Sequence, residues 1–309
     1  MLDYFVIVSQ QVLILFILIA VGFICGKIKL IDDYVAKKLT DIILMIAMPC
    51  VIVNAFQREF NPEMLVNLLI TAVCAVAIHI VTIVIASLVF RDKDEGRKKV
   101  LRFGTIFSNC AFMSIPLQEA VLGSEGVFYC AIFIGVFNLF SWTYGLVLMS
   151  GDKKQMSVKK LVTNPGILGV VIGVILFICS ITLPAIIGEP IRYLGTLNTP
   201  VPMLIIGFYL SQVNFVDVFA EKKNYVASII RLLLIPIIAL GVMYLCGIRG
   251  TMLVSIVISA SAPVAASCTM FATKYGGDTM LSVRLVALST VISVVTMPLV
   301  VALANSLSV

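Results

Sequence analysis

Residues 108–123, SNCAFMSIPLQEAVLG, and residues 259–278, SASAPVAASCTMFATKYGGD, each place a proline and several small polar residues inside a long apolar stretch. Proline removes one hydrogen bond from a helix and clashes with the preceding turn. In lipid, the backbone groups that are freed in this way need partners from protein or water. Both segments are therefore predicted to be broken membrane helices.

The composition excludes most classes of soluble protein. The chain has 309 residues, of which 61% are hydrophobic and 12% are charged. Soluble domains are about 45–50% apolar and about 25% charged. A water-soluble enzyme, a disordered chain and a nucleic-acid-binding protein are therefore excluded. The fold class is predicted to be an all-α integral membrane protein.

Apolar runs and the polar breaks between them predict ten transmembrane helices, since each span needs roughly 20 apolar residues. The predicted spans cover residues 5–26, 36–56, 64–90, 99–122, 126–149, 163–184, 188–212, 223–246, 250–274 and 279–304. Most Lys and Arg residues lie in the loops after spans 1, 3, 5, 7 and 9, and the opposite side holds only Arg58, Arg192 and Arg249. Because cytoplasmic loops are rich in Lys and Arg, both termini are predicted on the outer, periplasmic side of the inner cell membrane.

The ten spans divide into two halves, residues 1–150 and 151–309, of five spans each. An odd number of spans gives the two halves opposite orientations, which predicts two inverted five-helix repeats. The prolines support this division. Span 2 carries Pro49 and its counterpart span 7 carries Pro200, while span 4 carries Pro116 and its counterpart span 9 carries Pro263. Paired helix breaks in the two halves indicate the position of a substrate site.

Four stretches together resemble the auxin efflux carrier family of membrane transporters: IAMPCVIVNAF (46–56), SNCAFMSIPLQEAVLG (108–123), LGTLNTPVPMLIIGFYLS (194–211) and APVAASCTMFATKYGGDTMLSVRLVALSTVISVVTMPLV (262–300). The resemblance implies the fold of bile acid/sodium symporters, in which broken helices 4 and 9 cross near the middle of the membrane. It also implies a panel of spans 1, 2, 6 and 7 and a transport unit of the other six spans. The plant carriers have a carboxylate in span 3 where this chain has Val73, so a bacterial member is expected.

The crossing has a physical logic of its own. A second half-helix is expected to begin near Pro116 and near Pro263, with free N–H groups and a partial positive charge at each start. Two such starts that face one cavity form an anion site. The predicted substrate-binding residues are Ser108, Asn109, Ser114, Pro116, Thr199, Ser261, Pro263 and Ser267. The predicted substrate is a small organic anion, either a carboxylate or an auxin-like molecule, moved by alternating access.

Three ionisable residues are candidates for a charge or coupling role. Glu119 is expected to cap the half-helix start or to face the outer loop. His79 could carry protons or be a packed, hydrogen-bonded histidine. Arg231 lies within span 8 and could form an ion pair, contact the substrate or snorkel toward the lysines at its cytoplasmic end. The coupling ion, sodium or a proton, stays open, because sodium held by backbone carbonyls leaves no trace in a sequence.

The sequence also limits the alternatives. It contains no P-loop, no H-E-x-x-H and no G-x-S-x-G motif, which argues against an ATPase and against an intramembrane enzyme. Its eight cysteines form no C-x-x-C pair, so no metal site and no cofactor are predicted. A sodium-coupled bile-acid-type symporter and a non-transporting membrane sensor stay as alternatives to an organic-anion transporter. The lipid bilayer is an expected partner, and a homodimer is left open.

Overall fold

The computed structural model describes residues 2–156 and 158–308, and it is built from helices. Within these two ranges, seven helices are long and apolar enough to cross a membrane: Val6–Lys27, Asp33–Ala55, Pro62–Val89, Cys110–Ser150, Ala185–Ser211, Lys222–Leu245 and Thr279–Ser306. Large apolar side chains such as Leu13 and Val73 are more than half exposed on these helices, as lipid-facing residues are. The prediction of an all-α membrane protein is confirmed.

The main helices are numbered in chain order. They are α1 (Leu2–Lys27), α2 (Asp33–Ala55), α3 (Pro62–Val89), α4 (Glu95–Ile106), α5 (Cys110–Ser150), α6 (Pro165–Ile178), α7 (Ala185–Thr196), α8 (Pro200–Ser211), α9 (Lys222–Leu245), α10 (Gly250–Ser261), α11 (Ser267–Tyr275) and α12 (Thr279–Ser306). Short helical turns cover Lys153–Gln155, Val158–Val162 and Phe215–Ala220. Helix α5 bends at Gly123, whose φ of 65° lies in the left-handed region that favours glycine.

The predicted spans 4 and 9 are interrupted. Span 4 consists of α4 and the first part of α5, and span 9 consists of α10 and α11. At a rise of about 1.5 Å per residue, α4 and α10 are each about 18 Å long, well short of the roughly 30 Å hydrocarbon core. Each needs its continuation to cross the membrane. The arrangement of ten spans in two inverted repeats stays a prediction.

One end of the molecule is held together by charged loops. The Arg97 guanidinium, at the start of α4, lies 2.8 Å from the Glu221 carboxylate before α9 and 3.7 Å from those of Asp92 and Asp278. The hydrogen bond from Arg97 holds the pKa of the Glu221 carboxyl below its usual range. The loops that precede α4, α9 and α12 therefore meet at this end.

Three other connections meet at the opposite end of the molecule: the loop between α2 and α3, the bend of α5, and the loop between α6 and α7. Arg58, between α2 and α3, donates a hydrogen bond of 2.8 Å to the Ser124 carbonyl at the bend of α5. The backbone N–H of Leu183, between α6 and α7, donates to the side chain of Gln57 at 2.8 Å. Alternate loops thus lie at opposite ends, as expected of a chain that crosses the bilayer repeatedly. Which end faces the cytoplasm stays a prediction from the Lys and Arg distribution.

In three of these helices a proline lies just beyond a π-helical turn and does not break the helix. Each follows a π-helical turn by the same spacing: Pro49 after Ile43–Ala47, Pro116 after Cys110–Ser114, and Pro236 after Ile230–Leu234. A wider turn removes the clash between the proline ring and the carbonyl one turn earlier. The α-helical part of α5 begins at Ile115 with Pro116 in its first turn, as expected, but the π turn Cys110–Ser114 carries the helix back to the break at residues 107–109.

The closest packing joins α1 to α8. A Cβ atom on Gly207 would lie 2.6 Å from the backbone nitrogen of Phe23, and nearer still to the Ile19 carbonyl oxygen. On the other side of the contact, a Cβ atom on Gly22 would lie 2.6 Å from the Cα atom of Leu204. Glycines on both helices thus let the two backbones touch, as small residues do in membrane helix pairs.

We predict that Gly207→Ala destabilises the protein, because the added methyl group meets backbone atoms that cannot move aside. The expected loss is about 1–3 kcal/mol, the usual cost of overpacking. Gly241→Ala is the matched control, since a Cβ atom there would have nothing within 4 Å. Unfolding temperatures in detergent would measure both variants. Equal temperatures for the two would contradict the close contact between α1 and α8.

Candidate functional site at the helix crossing

The two breaks lie against each other in the interior. Residues 107–109 and 262–266 leave the helical conformation, and Ser108 and Val264 form an antiparallel bridge between them. Two backbone hydrogen bonds flank the bridge, from Asn109 N–H to Pro263 C=O at 2.7 Å and from Ala265 N–H to Phe107 C=O at 2.9 Å. Each break therefore satisfies part of the backbone that the other leaves without helical partners.

Four helix ends meet at this crossing. Helices α4 and α10 end there, at Ile106 and Ser261, and helices α5 and α11 begin there, at Cys110 and Ser267. A helix carries roughly half a negative charge at its C-terminus and roughly half a positive charge at its N-terminus. The crossing thus contains two negative and two positive helix ends.

Arg231 binds the two negative ends. Its guanidinium donates through Nη1 to the carbonyls of Thr105 (3.4 Å) and Ile106 (3.1 Å) and through Nη2 to the carbonyl of Ala260. The side chain is 1% exposed, so the interpretation of Arg231 as a snorkelling residue is wrong. One positive charge roughly balances two helix C-termini of about half a negative charge each.

The two positive ends have no such partner. Helices α2, α3, α4, α6, α9 and α12 have their first turns capped by the side chains of Asp32, Asn61, Asp94, Asn164, Glu221 and Asp278. The residues that precede α5 and α11 are Asn109 and Ala266, and neither makes a side-chain cap. Some first-turn N–H groups are already bonded, since Met113 donates to the Asn109 carbonyl and Cys268 and Thr269 donate to those of Ala265 and Ala266. The remaining first-turn N–H groups, which no side chain caps, are available to a ligand.

Unpaired polar side chains surround these starts. Asn109 is 4% exposed, and its amide makes no hydrogen bond within the described ranges. The Ser267 hydroxyl is buried and likewise has no partner among the described residues. Buried polar groups in native proteins nearly always have a partner, so the Ser267 hydroxyl points to an occupant of the crossing, and the unbonded Asn109 amide is free to bind the same occupant.

Asn198 and Thr290 are residues that were not expected at the site. The Asn198 amide, between α7 and α8, donates to the Ala111 carbonyl at 3.1 Å, while its Oδ1 atom is buried without a partner in the described chain. The Thr290 hydroxyl is also buried without a partner among the described residues. Thr290 comes one residue after Ser289, whose hydroxyl accepts a hydrogen bond from Val264 N–H. Asn198 directly precedes the predicted Thr199. The signal in the sequence that could have identified it is a polar amide inside an apolar span.

Gln118 is a third missed residue, and it joins α5 to α10. Its amide nitrogen lies 3.0 Å from the Ser259 hydroxyl and 3.3 Å from the Ser255 carbonyl, and the Ser255 hydroxyl donates to its Oε1 at 2.5 Å. All three residues are fully buried. These bonds hold the start of α5 at a defined distance from the end of α10.

Several predicted residues have other roles in the structure. Ser114 and Ser261 both donate to the Ile258 carbonyl, at 3.4 and 3.0 Å, so neither hydroxyl can donate to a ligand while these bonds persist. Pro116 lies beyond the π turn, Pro263 lies in the break itself, and Thr199 makes no cap at the start of α8. Of the predicted substrate-binding residues, Ser108, Asn109, Pro263 and Ser267 lie directly at the crossing.

The other two ionisable candidates lie apart from the helix starts. Glu119 is exposed and accepts no hydrogen bond from the residues that the structure describes, so the expected cap by Glu119 is wrong. His79 is 2% exposed, its Nδ1 lies 2.7 Å from the Ala75 carbonyl, and four phenylalanine rings surround it, those of Phe107, Phe133, Phe137 and Phe140. This setting favours the packed histidine, and a proton-carrying role stays a prediction.

A narrow apolar cleft, with a volume of about 20 Å³, lies beside the crossing. It lies between α8, which contributes Ile206 and Tyr209, and α11 with α12, which contribute Thr269 and Val286. Ala266, the residue that precedes α11, lines the same cleft. A molecule in this cleft would therefore reach the uncapped start of α11.

We predict that Arg231→Gln destabilises the protein, because carbonyls at two helix ends lose a charged donor. Each carbonyl left without a partner is expected to cost about 1–3 kcal/mol. Arg231→Lys should fall between Gln and wild type, since an ammonium group is a single point charge that cannot span both helix ends. Unfolding temperatures in detergent would test this order.

Arg249→Gln is the matched control for Arg231. Its guanidinium also donates to two carbonyls, those of Tyr244 and Ile248, but at an exposed helix end. Water can replace those bonds, so little change is expected. An Arg231→Gln variant as stable as Arg249→Gln would show that the carbonyls at the crossing do not depend on the guanidinium.

Comparison with known proteins places the chain in a family. A family model described as Membrane transport protein matches residues 7–301. An uncharacterized transporter of Methanothermobacter thermautotrophicus (strain Delta H) is 25% identical over 295 residues, covering 94% of this chain and 96% of that protein. An uncharacterized transporter of Methanocaldococcus jannaschii is 24% identical over 303 residues, with the same coverage. The match confirms the resemblance seen in the sequence, and the chain belongs to the membrane transport protein family that includes the auxin efflux carriers.

Proposed function

We propose that the protein is a secondary transporter that moves a small organic anion across the membrane by alternating access, with its site at the crossing of the broken helices. The observation that carries this proposal is a difference between the four helix ends at the crossing: two have a charged partner and two do not. Arg231 balances the C-termini of α4 and α10, whereas the N-termini of α5 and α11 have no side-chain cap. About one positive charge is left uncompensated, which suits a single carboxylate.

The donors around the crossing match a carboxylate. The Asn109 amide and the Ser267 hydroxyl are the side chains without partners at the two helix starts. Backbone N–H groups of α5 and α11 would complete the hydrogen bonds to the two carboxylate oxygens. Charge-assisted bonds of this kind are about twice as strong as neutral ones, and a site that excludes water strengthens them further. The organic part of the substrate would lie toward the apolar cleft beside α8, which must widen from its present volume of about 20 Å³ to admit it.

Alternating access requires a boundary that slides, and Asn198 marks one. We assign α1, α2, α6, α7 and α8 to a panel and the remaining helices to a transport unit. The hydrogen bond from Asn198 to the Ala111 carbonyl crosses this boundary directly beside the start of α5. A movement of the transport unit past the panel would break that bond, so the bond belongs to one state of the cycle. Ten spans in two inverted repeats, with both termini outside, complete the proposal.

The test is uptake into proteoliposomes that contain only this chain. Mono- and dicarboxylates would be offered at several sodium concentrations and pH values. Uptake of an organic anion supports the proposal, and its dependence on sodium or on pH identifies the coupling ion. Sodium-dependent uptake confined to steroid-like anions would favour the bile-acid-type symporter instead. Binding without flux would favour a membrane sensor.

We predict that Asn109→Ala weakens binding of the transported anion roughly tenfold, the effect of losing one hydrogen bond to a charged ligand. Asn109→Asp should weaken binding more, because it places a negative charge where the carboxylate must lie. Equilibrium binding at equal expression would compare the two variants. Asn305→Asp, in the last turn of α12 and away from the crossing, is the control. If Asn109→Asp binds the anion as well as wild type, the anion site lies elsewhere.

A further inference from the structure

A second polar feature runs from the charged loops to the crossing, along the contact between α4 and α9. Glu221 and Arg231 lie on one face of α9, and Arg97 and Thr105 lie on one face of α4. At one end Arg97 pairs with Glu221 at 2.8 Å, and at the other end Arg231 donates to the Thr105 carbonyl at 3.4 Å. The stretch between these two contacts is called the α4–α9 seam.

Helical spacing places several polar side chains of α9 on the face that forms the seam. Asn224 and Ser228 lie three and seven residues after Glu221, and Ser228 lies three residues before Arg231, so all four share one face of α9. Asn224 and Ser228 are fully buried. Since both ends of this face are bonded to α4, we infer that the two side chains between them face α4 as well, in a part of α9 that also packs against α12.

These groups have no hydrogen-bond partners. Both amide atoms of Asn224, the hydroxyls of Ser228 and Thr105, and the Nε–H of Arg231 are buried and unpartnered within the described chain. Native interiors leave few such groups, and a concentration of them on one seam indicates an occupant that is not part of the chain. A π-helical turn at Ile230–Leu234 accompanies them, and such turns are frequent at functional sites.

The charges decide what kind of occupant fits. All four side chains can donate a hydrogen bond, and one of them, Arg231, is a cation. The carboxylate of the seam is that of Glu221, and it is already bound to Arg97 and to the Lys223 N–H at the start of α9. A cation would be repelled by Arg231. A small anion would meet donors from both helices and an attractive charge.

We propose that the α4–α9 seam holds a small monovalent anion of about the size of chloride, bound by Arg231 Nε, Ser228 and Thr105, with Asn224 about two helical turns away along α9. This site is distinct from the substrate site, because the two Nη atoms of Arg231 are already bonded to carbonyls at the ends of α4 and α10, whereas its Nε–H is buried and has no partner in the described chain. The bound anion fixes the guanidinium in the orientation that joins the ends of α4 and α10. Binding of the anion at this site does not depend on the proposed transport activity.

The test is equilibrium binding of radioactive chloride to the purified full chain in detergent, with sodium gluconate as the replacement salt. Wild type is expected to bind chloride saturably and to unfold at a higher temperature in chloride than in gluconate. The double variant Thr105→Val/Ser228→Ala should lose at least roughly tenfold in chloride affinity, since two bonds to a charged ligand are removed. If the double variant fails to fold, Ser228→Ala alone provides the same readout.

Two further variants separate this site from others. Ser293→Ala is the matched control, because Ser293 is fully buried but already donates to the Thr290 carbonyl, and it should bind chloride as wild type does. Asn109→Asp, at the crossing, should also retain chloride binding. Loss of chloride binding in Asn109→Asp with retention in Thr105→Val/Ser228→Ala would place the ion at the crossing and overturn the proposal. Absence of saturable chloride binding to wild type would mean that water fills the seam, which would also overturn it.

Discussion

The structure depends on the contact between the Arg231 guanidinium and the carbonyls at the ends of α4 and α10. Two helices that end in the middle of a bilayer expose carbonyls that lipid cannot satisfy, and each unpaired group there is costly. One planar side chain with several donors satisfies carbonyls on both helices at once. It also balances the negative ends, so the uncapped starts of α5 and α11 determine the electrostatic character of the crossing.

The breaks themselves are stabilised by each other more than by proline. The bridge between Ser108 and Val264 and its two flanking hydrogen bonds supply what the helices lose. Pro116 is accommodated by the π turn before it, and Pro236 in α9 is accommodated in the same way at the turn that carries Arg231. Proline therefore shapes the turns near the crossing, while the contact between residues 107–109 and 262–266 stabilises the non-helical backbone of both breaks.

The same contacts explain how a site of this kind can be both rigid and mobile. Gln118 ties α5 to α10, and the close packing at Gly22 and Gly207 ties α1 to α8. Between these two tied groups the polar contact beside the helix starts is the single bond of Asn198 to Ala111, next to an apolar cleft. The rest of the boundary is apolar packing, since one core cluster contains Val12 of α1 and Val301 of α12. Apolar contacts of this kind can slide, as the proposed alternating access requires.

The amino-acid sequence by itself determined the membrane class and the two broken segments, and it made Asn109 a candidate site residue. These follow from local properties: apolar length, the proline and polar composition of one segment, and the cost of a buried amide in lipid. The tertiary structure decided the partners of Arg231, the loss of Ser114 and Ser261 as free donors, and the places of Asn198 and Gln118. It also extended α5 from Pro116 back to Cys110 through a π turn. Each of these depends on a hydrogen bond or a backbone contact between residues that are mostly distant in the chain, such as Arg231 with Ile106 and Ala260. Local composition cannot specify which of the available carbonyls a buried donor will reach, because that is set by how the helices pack.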